Sequence, residues 1–291
     1  MREITVFTHR RPEQTAPALA LLAARAAEAG VTLCLDEEET RKHGLTAGPG
    51  LAVDVPAKDD VELCVVLGGD GTILRALQRY AFTGVPVFAI NFGEIGFLAT
   101  VEPQDVEDGI RRALTGEFEL LRLPAIVLDM PADGRTSAAE PGGRPTAIND
   151  VAIHRKVGER VAEIAYALDG EEAGSVRCDG LVVATPAGST GYNLANGGPV
   201  MAWGVEGFVV SFIAPHSISA RALVAAPDDP LTIHNRSREP LDVAVDGRPA
   251  GEIAPDGRIH AHFANDVGLI AQLPGSSFYR RLREKFGRLA S

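Results

Sequence analysis

Residues 65–74 read VVLGGDGTIL: an apolar run, two glycines, one aspartate, a third glycine, a threonine and a return to apolar residues. The run begins at residue 61 as VELCVVL and is followed by ILRALQRY (73–80), whose apolar residues recur at helical spacing. A continuous apolar strand that passes through glycines into a helix is the repeating unit of a doubly wound α/β domain, where ligands bind at the carboxyl ends of the strands. Gly68, Gly69 and Gly71 leave no side chain in the way of a phosphate chain approaching backbone N–H groups. Asp70 is harder to explain. A carboxylate repels phosphate unless it does chemistry there, accepting a proton from an attacking hydroxyl or helping to hold Mg²⁺. The combination therefore favours phosphoryl transfer over simple binding. The competing reading is an ordinary strand-to-helix turn in which Asp70 or Thr72 caps the helix, and the stretch alone leaves both open. It carries neither the Walker GKS/GKT nor the GxGxxG fingerprint.

The same alternation extends on both sides. ITVF (4–7) and VTLCL (31–35) read as strands joined by a helix over 14–29 that stops at Gly30. VPVFAI (85–90) reads as another buried strand, and a helix is expected over 103–114. After Gly116 the period changes to two. AEIAYAL (162–168), LTIHNR (231–236), LDVAV (241–245), RIHAHF (258–263) and VGLIAQL (267–273) are short runs parted by turn signals such as PDDP, DGRP and PDG, the pattern of an antiparallel β domain. Phe278, Leu282 and Phe286 recur every four residues and predict a last helix over 276–286. The expected organisation is a doubly wound α/β domain over 1–116, a β-rich domain over 117–275, and a C-terminal helix in 276–291 that packs back on the first domain. Residues 130–146, MPADGRTSAAEPGGRPT, read as a flexible surface loop.

A net charge of -11 over 291 residues argues against a nucleic-acid partner bound by phosphate neutralisation. The three cysteines, Cys34, Cys64 and Cys178, are far apart and support neither a disulfide framework nor a zinc site; Cys34 and Cys64 sit in core patterns. The start, MREITVF, has no signal-peptide layout and no run reaches the length of a membrane span, so a cytoplasmic protein is expected. DEEET (36–40) reads as a solvated charge run, the alternative being an acidic patch near an entrance. His260 and His262 share a strand face as metal ligands would, but without a third ligand a solvated face is the expectation, and His216 reads as structural. Trp203 follows the glycine-rich second-half loop and reads as core or interface.

Two second-half segments bear on Asp70. AIND (147–150) sets an amide beside a carboxylate before an apolar run, a pair suited to ribose hydroxyls or an adenine edge, or else to a strand entry. DGLVVATPAGSTGYNLANGGPV (179–200) runs a buried-type strand into a stretch dense in Gly, Ser, Thr and Asn, which suits a nucleotide-sized ligand.

Together LGGDGTILRA, NFGEIGFLA, AINDVAIHR, CDGLVVATPAGSTGYN, NGGP, APHSISAR, VAVDG and SFYRRLREKFG resemble, in order and spacing, the NAD kinases. That family phosphorylates the 2′-hydroxyl of the adenosine ribose of NAD to give NADP. The resemblance implies an α/β domain of Rossmann/phosphofructokinase-like type plus a β-sandwich-like domain, ATP or polyphosphate as donor, a divalent metal such as Mg²⁺, and a homodimer or homotetramer. It makes Asp70 the proton acceptor, with Gly68, Gly69, Gly71, Thr72, Arg75 and Asn91 around the nucleotide. Asn149 and Asp150 would hold the dinucleotide, with Arg177 and Asp179 before the strand that delivers the ligand loop. In that loop it implies Ala187, Gly188, Ser189, Thr190, Tyr192, Asn193 and Ala195, and beyond it Asp246 and Arg248. The sequence departs from the family pattern at Phe92, Glu94, Ala187, Gly191, Asn196 and Arg248. An acidic residue where a basic one is usual repels phosphate unless paired, which bears on the acceptor more than on the chemistry. The alternatives are a kinase of this fold acting on another nucleotide or nucleoside, and a non-catalytic nucleotide-binding regulator.

Overall fold

The structure, a computed structural model, describes residues 2–93, 96–130 and 144–287. Glu94 and most of the 130–146 loop lie outside the described residues. The chain divides into two compact units, Met1–Arg122 with Gly268–Ser291, and Leu123–Val267.

The first unit contains β1 (Arg2–Thr8), α1 (Pro12–Glu28), β2 (Val31–Cys34), α2 (Glu37–His43), β3 (Leu51–Ala52), β4 (Leu63–Gly68), α3 (Asp70–Arg79), β5 (Pro86–Asn91) and α4 (Val106–Thr115). The strands pair in parallel in the order β5-β4-β1-β2-β3. Helices α1 and α4 bury Leu19, Leu22, Ile110 and Leu114 with Ile4, Val6, Val65, Phe88 and Ile90 of the strands. Such strands are apolar on both faces, so they read as continuous runs.

The second unit contains most of β6 (Glu119–Asp129), then β7 (Thr146–Ala147), β8 (Asp150–Arg155), β9 (Ala162–Leu168), β10 (Glu171–Cys178), β11 (Gly180–Ala184), the short helix α5 (Tyr192–Ala195), β12 (Phe208–Ile213), β13 (Leu223–Ala225), β14 (Leu231–Asn235), β15 (Leu241–Val245), β16 (Arg248–Ile253) and the start of β17 (Arg258–Gln272). One antiparallel sheet has the order β13-β12-β11-β8-β15-β16, and β10, β9, β14 and β17 pair antiparallel in a second. Val151, Ile153, Leu181, Val183 and Val243 of the first meet Ile164, Val176, Ile233 and Ile259 of the second in one core, a β-sandwich arrangement.

VGLIAQL, grouped by its sequence with the β-rich half, is the end of β17: Leu269 and Ile270 add to β5 in parallel. From Gly268 the chain belongs to the first unit, where α6 (Phe278–Phe286) also lies. DEEET is solvated only in part: Glu37 and Glu38 are exposed, whereas Glu39 and Thr40 are buried. Asp36 caps α2 by accepting from the Glu39 N–H at 2.8 Å, and the Glu39 side chain is wholly buried. Its carboxylate accepts from Thr8 Oγ1 (2.6 Å), Lys42 Nζ (2.8 Å) and Arg75 (2.6 Å), the compensation that a buried charge requires. His262 lies 2.9 Å from Asp129 and His260 3.0 Å from Thr232 Oγ1, and among the described residues no three His, Cys, Asp or Glu side chains gather as a metal site. No helix among the described residues is long and apolar enough to cross a membrane.

Candidate active site

In the first unit the glycine loop sits at the carboxyl end of β4. Helix α3 begins at Asp70, three residues before the apolar spacing becomes visible, so Asp70, Gly71 and Thr72 form its first turn. The N-cap is Gly69, and no side chain caps the helix. Its carbonyl accepts from the N–H groups of Thr72 (2.9 Å) and Ile73 (3.1 Å). The earlier N–H groups of such a turn have no carbonyl within the helix and are available to an anion.

The Asp70 carboxylate is therefore not a cap. It reaches across to another loop, accepting from the N–H of Phe97 at 2.9 Å and of Leu98 at 3.0 Å. Helix α6 holds the same loop from behind: Arg281 donates to the carbonyls of Phe97 and Ala99, and the Phe97 ring lies 5.9 Å from Phe278 and 5.7 Å from Phe286. Burial lowers the pKa of Arg281, opposed by the charge of Asp70. Asn91 is buried; its Nδ2 donates to Glu102 (3.0 Å) and its Oδ1 accepts from the Gly93 N–H (2.9 Å). Glu102 also receives Lys285 of α6 at 2.7 Å. Arg281, Glu102 and Lys285 were not singled out from the sequence, because their roles arise only from the packing of a helix distant in sequence.

Arg75 is held within the unit. Its guanidinium pairs with Glu38 (3.0 Å) and Glu39 (2.6 Å) and lies 4.9 Å over the Phe7 ring. Arg10 and Arg11, which no local sequence pattern marks, follow β1 after His9; both are exposed and make no ion pair among the described residues. They lie at the same edge as the glycine loop, since the His9 N–H donates to the Leu67 carbonyl at 2.7 Å. Phe92 packs on the core of this unit.

In the second unit the residues predicted for dinucleotide binding converge around AIND. The Asp246-Gly247 turn between β15 and β16 has φ of 45° and 77°, the left-handed pair that a tight hairpin requires. From that turn the Asp246 carboxylate accepts from the N–H groups of Ile148 (2.9 Å), Asn149 (2.7 Å) and Asp150 (2.9 Å). Asp246 is thus the residue that shapes AIND.

The ligand loop closes over the same segment. Thr185 donates from its N–H to the Asn149 carbonyl (2.9 Å) and from Oγ1 to the Ile148 carbonyl (2.7 Å). At Gly188 an added Cβ would stand 1.9 Å from the Asn149 carbonyl oxygen, so only glycine permits this approach. Ser189 and Asn193 are fully buried and bond to loop carbonyls and to the Met201 N–H. They hold the loop's shape. Thr190 Oγ1 donates to the Ala187 carbonyl at 3.1 Å, Ala187 is buried, and Ala195 is exposed. Tyr192 stacks on His154 at 5.6 Å with 21° between planes, and burial keeps His154 below its usual pKa.

Two groups in this cluster lack what burial demands. Asn149 Oδ1 is buried without a hydrogen-bond partner, an arrangement that calls for a ligand or water donor. Asp150 is 8% exposed, and burial together with the nearby Asp246 charge raises its pKa to about 7. Because the native state binds this proton more tightly than the unfolded chain, the stability the group contributes is complete below about pH 4. It is lost as the pH rises through 7, by roughly 4 kcal/mol. Asp150→Asn mimics the protonated form, so thermal unfolding should find it more stable than the parent at pH 8, with the difference vanishing near pH 4.

Arg177 and Asp179 stand elsewhere in this unit. They precede β11, whose far end, Ala184, pairs with Asp150, whereas Gly180 pairs with His154. Asp179 binds Arg155 at 2.6 Å. Arg248 is exposed on β16, Gly191 is exposed, and Asn196 has a buried Nδ2 without a partner.

Comparison with known proteins agrees with this geometry. The ATP-NAD kinase N-terminal domain matches residues 21–118, and the ATP-NAD kinase C-terminal domain matches residues 148–266. An NAD kinase of Rhodopirellula baltica is 35% identical over 78% of this chain and 72% of its own, and one of Bifidobacterium longum subsp. infantis is 32% identical over 98% and 82%. Among solved structures, yeast NADH kinase complexed with NADH superposes with a TM-score of 0.86 at 20% identity, covering 100% of this chain and 89% of that one. An Archaeoglobus fulgidus NAD kinase in complex with ATP gives 0.73 at 24%, covering 100% and 99%; both share the fold. With both domains present in order and such identity along nearly its whole length, the chain belongs to the NAD kinase family.

Proposed function

We infer that this kinase transfers the γ-phosphate of ATP to the 2′-hydroxyl of the adenosine ribose of NAD, giving NADP and ADP. The hydroxyl oxygen forms the new P–O bond, the bond to the ADP oxygen breaks, and the hydroxyl proton passes to Asp70. Each Asp70 oxygen accepts one backbone N–H and keeps a lone pair for that proton. The two bonds fix the carboxylate's direction, and such positioning supplies most of the rate in phosphoryl transfer.

Donor phosphates suit the first turn of α3, with Arg10 and Arg11 as cations at the same edge; ATP and polyphosphate present the same chemistry there. Mg²⁺ fits as an ion carried on the donor's phosphates, a habit of this cation. When bound it neutralises their charge. The three cysteines are buried and free, which suits a reducing cytoplasm, and a homo-oligomer agrees with the family.

The observation that carries the acceptor side is the unpartnered Asn149 Oδ1 beside Asp150. A purine amine satisfies the first, and a ring nitrogen accepts from the second when protonated. Tyr192 offers a ring face to a base. Steady-state kinetics of Asn149→Ala should show the KM for NAD raised about tenfold with kcat changed far less. An unchanged KM would remove Asn149 from the acceptor site.

A further inference from the structure

A second concave site lies in the second unit, away from the AIND cluster. It is a cavity of about 500 Å³ framed by the turn after β8, the start of β9, the end of β10 and the β14–β15 turn. Along β8, Arg155 is five residues beyond Asp150, or about 16 Å at strand rise, so the two sites occupy opposite ends of the strand.

The turn that forms one wall is rigid. Asn235 is fully buried, and its Nδ2 donates to the Glu239 (2.8 Å) and Ile253 (3.0 Å) carbonyls while its Oδ1 accepts from the Ser237 N–H (2.8 Å). Ser237 Oγ in turn accepts from the Glu163 N–H at 2.8 Å. The walls are fixed before anything binds.

Six cationic side chains line the cavity of a protein whose net charge is -11. Three are committed to carboxylates: Arg155 to Asp179, Lys156 to Glu252 and Arg236 to Glu172. The other three, Arg160, Arg177 and Arg238, make no ion pair among the described residues, although Glu159, Glu163 and Glu239 share the lining. Arginines from two turns and the end of β10 thus line one space unpaired, beside the three glutamates, and a guanidinium's fork geometry matches phosphate oxygens. Val161 and Leu241 give the same cavity an apolar floor.

We propose that this cavity binds an oligophosphate anion, either free or as the phosphate chain of a nucleotide, at a site separate from the one that performs the transfer. A chain of phosphates offers separate acceptor oxygens to each of the three guanidiniums.

The test is local amide hydrogen exchange of the full chain with tripolyphosphate, with ATP, or with adenosine alone. Tripolyphosphate is expected to slow exchange in residues 156–163 and 236–241. Stronger protection by ATP would mark the nucleotide as the source, and equal protection the phosphate chain alone. Arg160→Gln with Arg238→Gln removes two unpaired, exposed cations and no internal bond. It should keep the parent's melting temperature and turnover while weakening this protection at least ~10-fold in ligand concentration. Protection confined to residues around the glycine loop, or protection at the cavity unchanged in the double variant, would overturn the proposal. Because exchange is read segment by segment, neither outcome depends on whether NAD is the acceptor.

Discussion

Asp70→Asn is expected to lower kcat by at least ~10² and, unlike a substitution at a purely chemical group, to destabilise the first unit as well. The carboxylate receives two backbone N–H groups. An amide has one acceptor oxygen, and its NH₂ would face the second N–H, donor against donor. Leaving one buried donor unmatched costs about 1–3 kcal/mol. The two effects separate in measurement. Calorimetry reads the stability loss, while kinetics at a temperature well below the transition reads kcat. If Asp70 only tethered the Phe97–Leu98 loop, kcat of the folded variant would stay near normal. If it also takes the proton, kcat stays low however well the variant folds.

The second large effect belongs to Asp246→Ala. Three backbone donors lose one charged acceptor, and hydrogen bonds to charged groups contribute more than neutral ones, so a loss of about 3 kcal/mol or more is expected. The hairpin position compounds it, because alanine at φ of 45° is less tolerated than aspartate. A merely local defect would stop there. Removing the Asp246 charge also removes one of the two causes that raise the Asp150 pKa, so the titration of Asp150, followed by carboxyl NMR, should move down from about 7. A variant that loses stability without moving that titration would contradict the electrostatic coupling between the two carboxylates.

The α/β half was legible because its strands are buried on both faces and announce themselves as apolar runs, and the glycines of VVLGGDGTIL marked the turn. The direction of the Asp70 side chain was not legible. Its partners lie 27 and 28 residues away, and the Arg281 that braces them is 184 residues from Phe97. Local sequence offered a cap or a base; the side chain is neither the cap of its own helix nor an unattached carboxylate. Glu39 misled for a similar reason. A charge run reads as solvated unless Thr8, Lys42 and Arg75 are known to converge on one member. In the ligand loop, composition marked the segment but could not separate the fully buried residues that build it, Ser189 and Asn193, from half-buried Tyr192 and exposed Ala195. Burial makes that division. Asp246 entered only through the family resemblance; that its carboxylate supports AIND became visible from its hydrogen bonds.

The most direct test of the account is phosphorus NMR of the product formed by the purified full chain from NAD and ATP with Mg²⁺. The expected result is a new phosphomonoester on the 2′-oxygen of the adenosine ribose, one for each ADP released. ATP hydrolysis without that resonance, or a phosphate on any other hydroxyl, would contradict it.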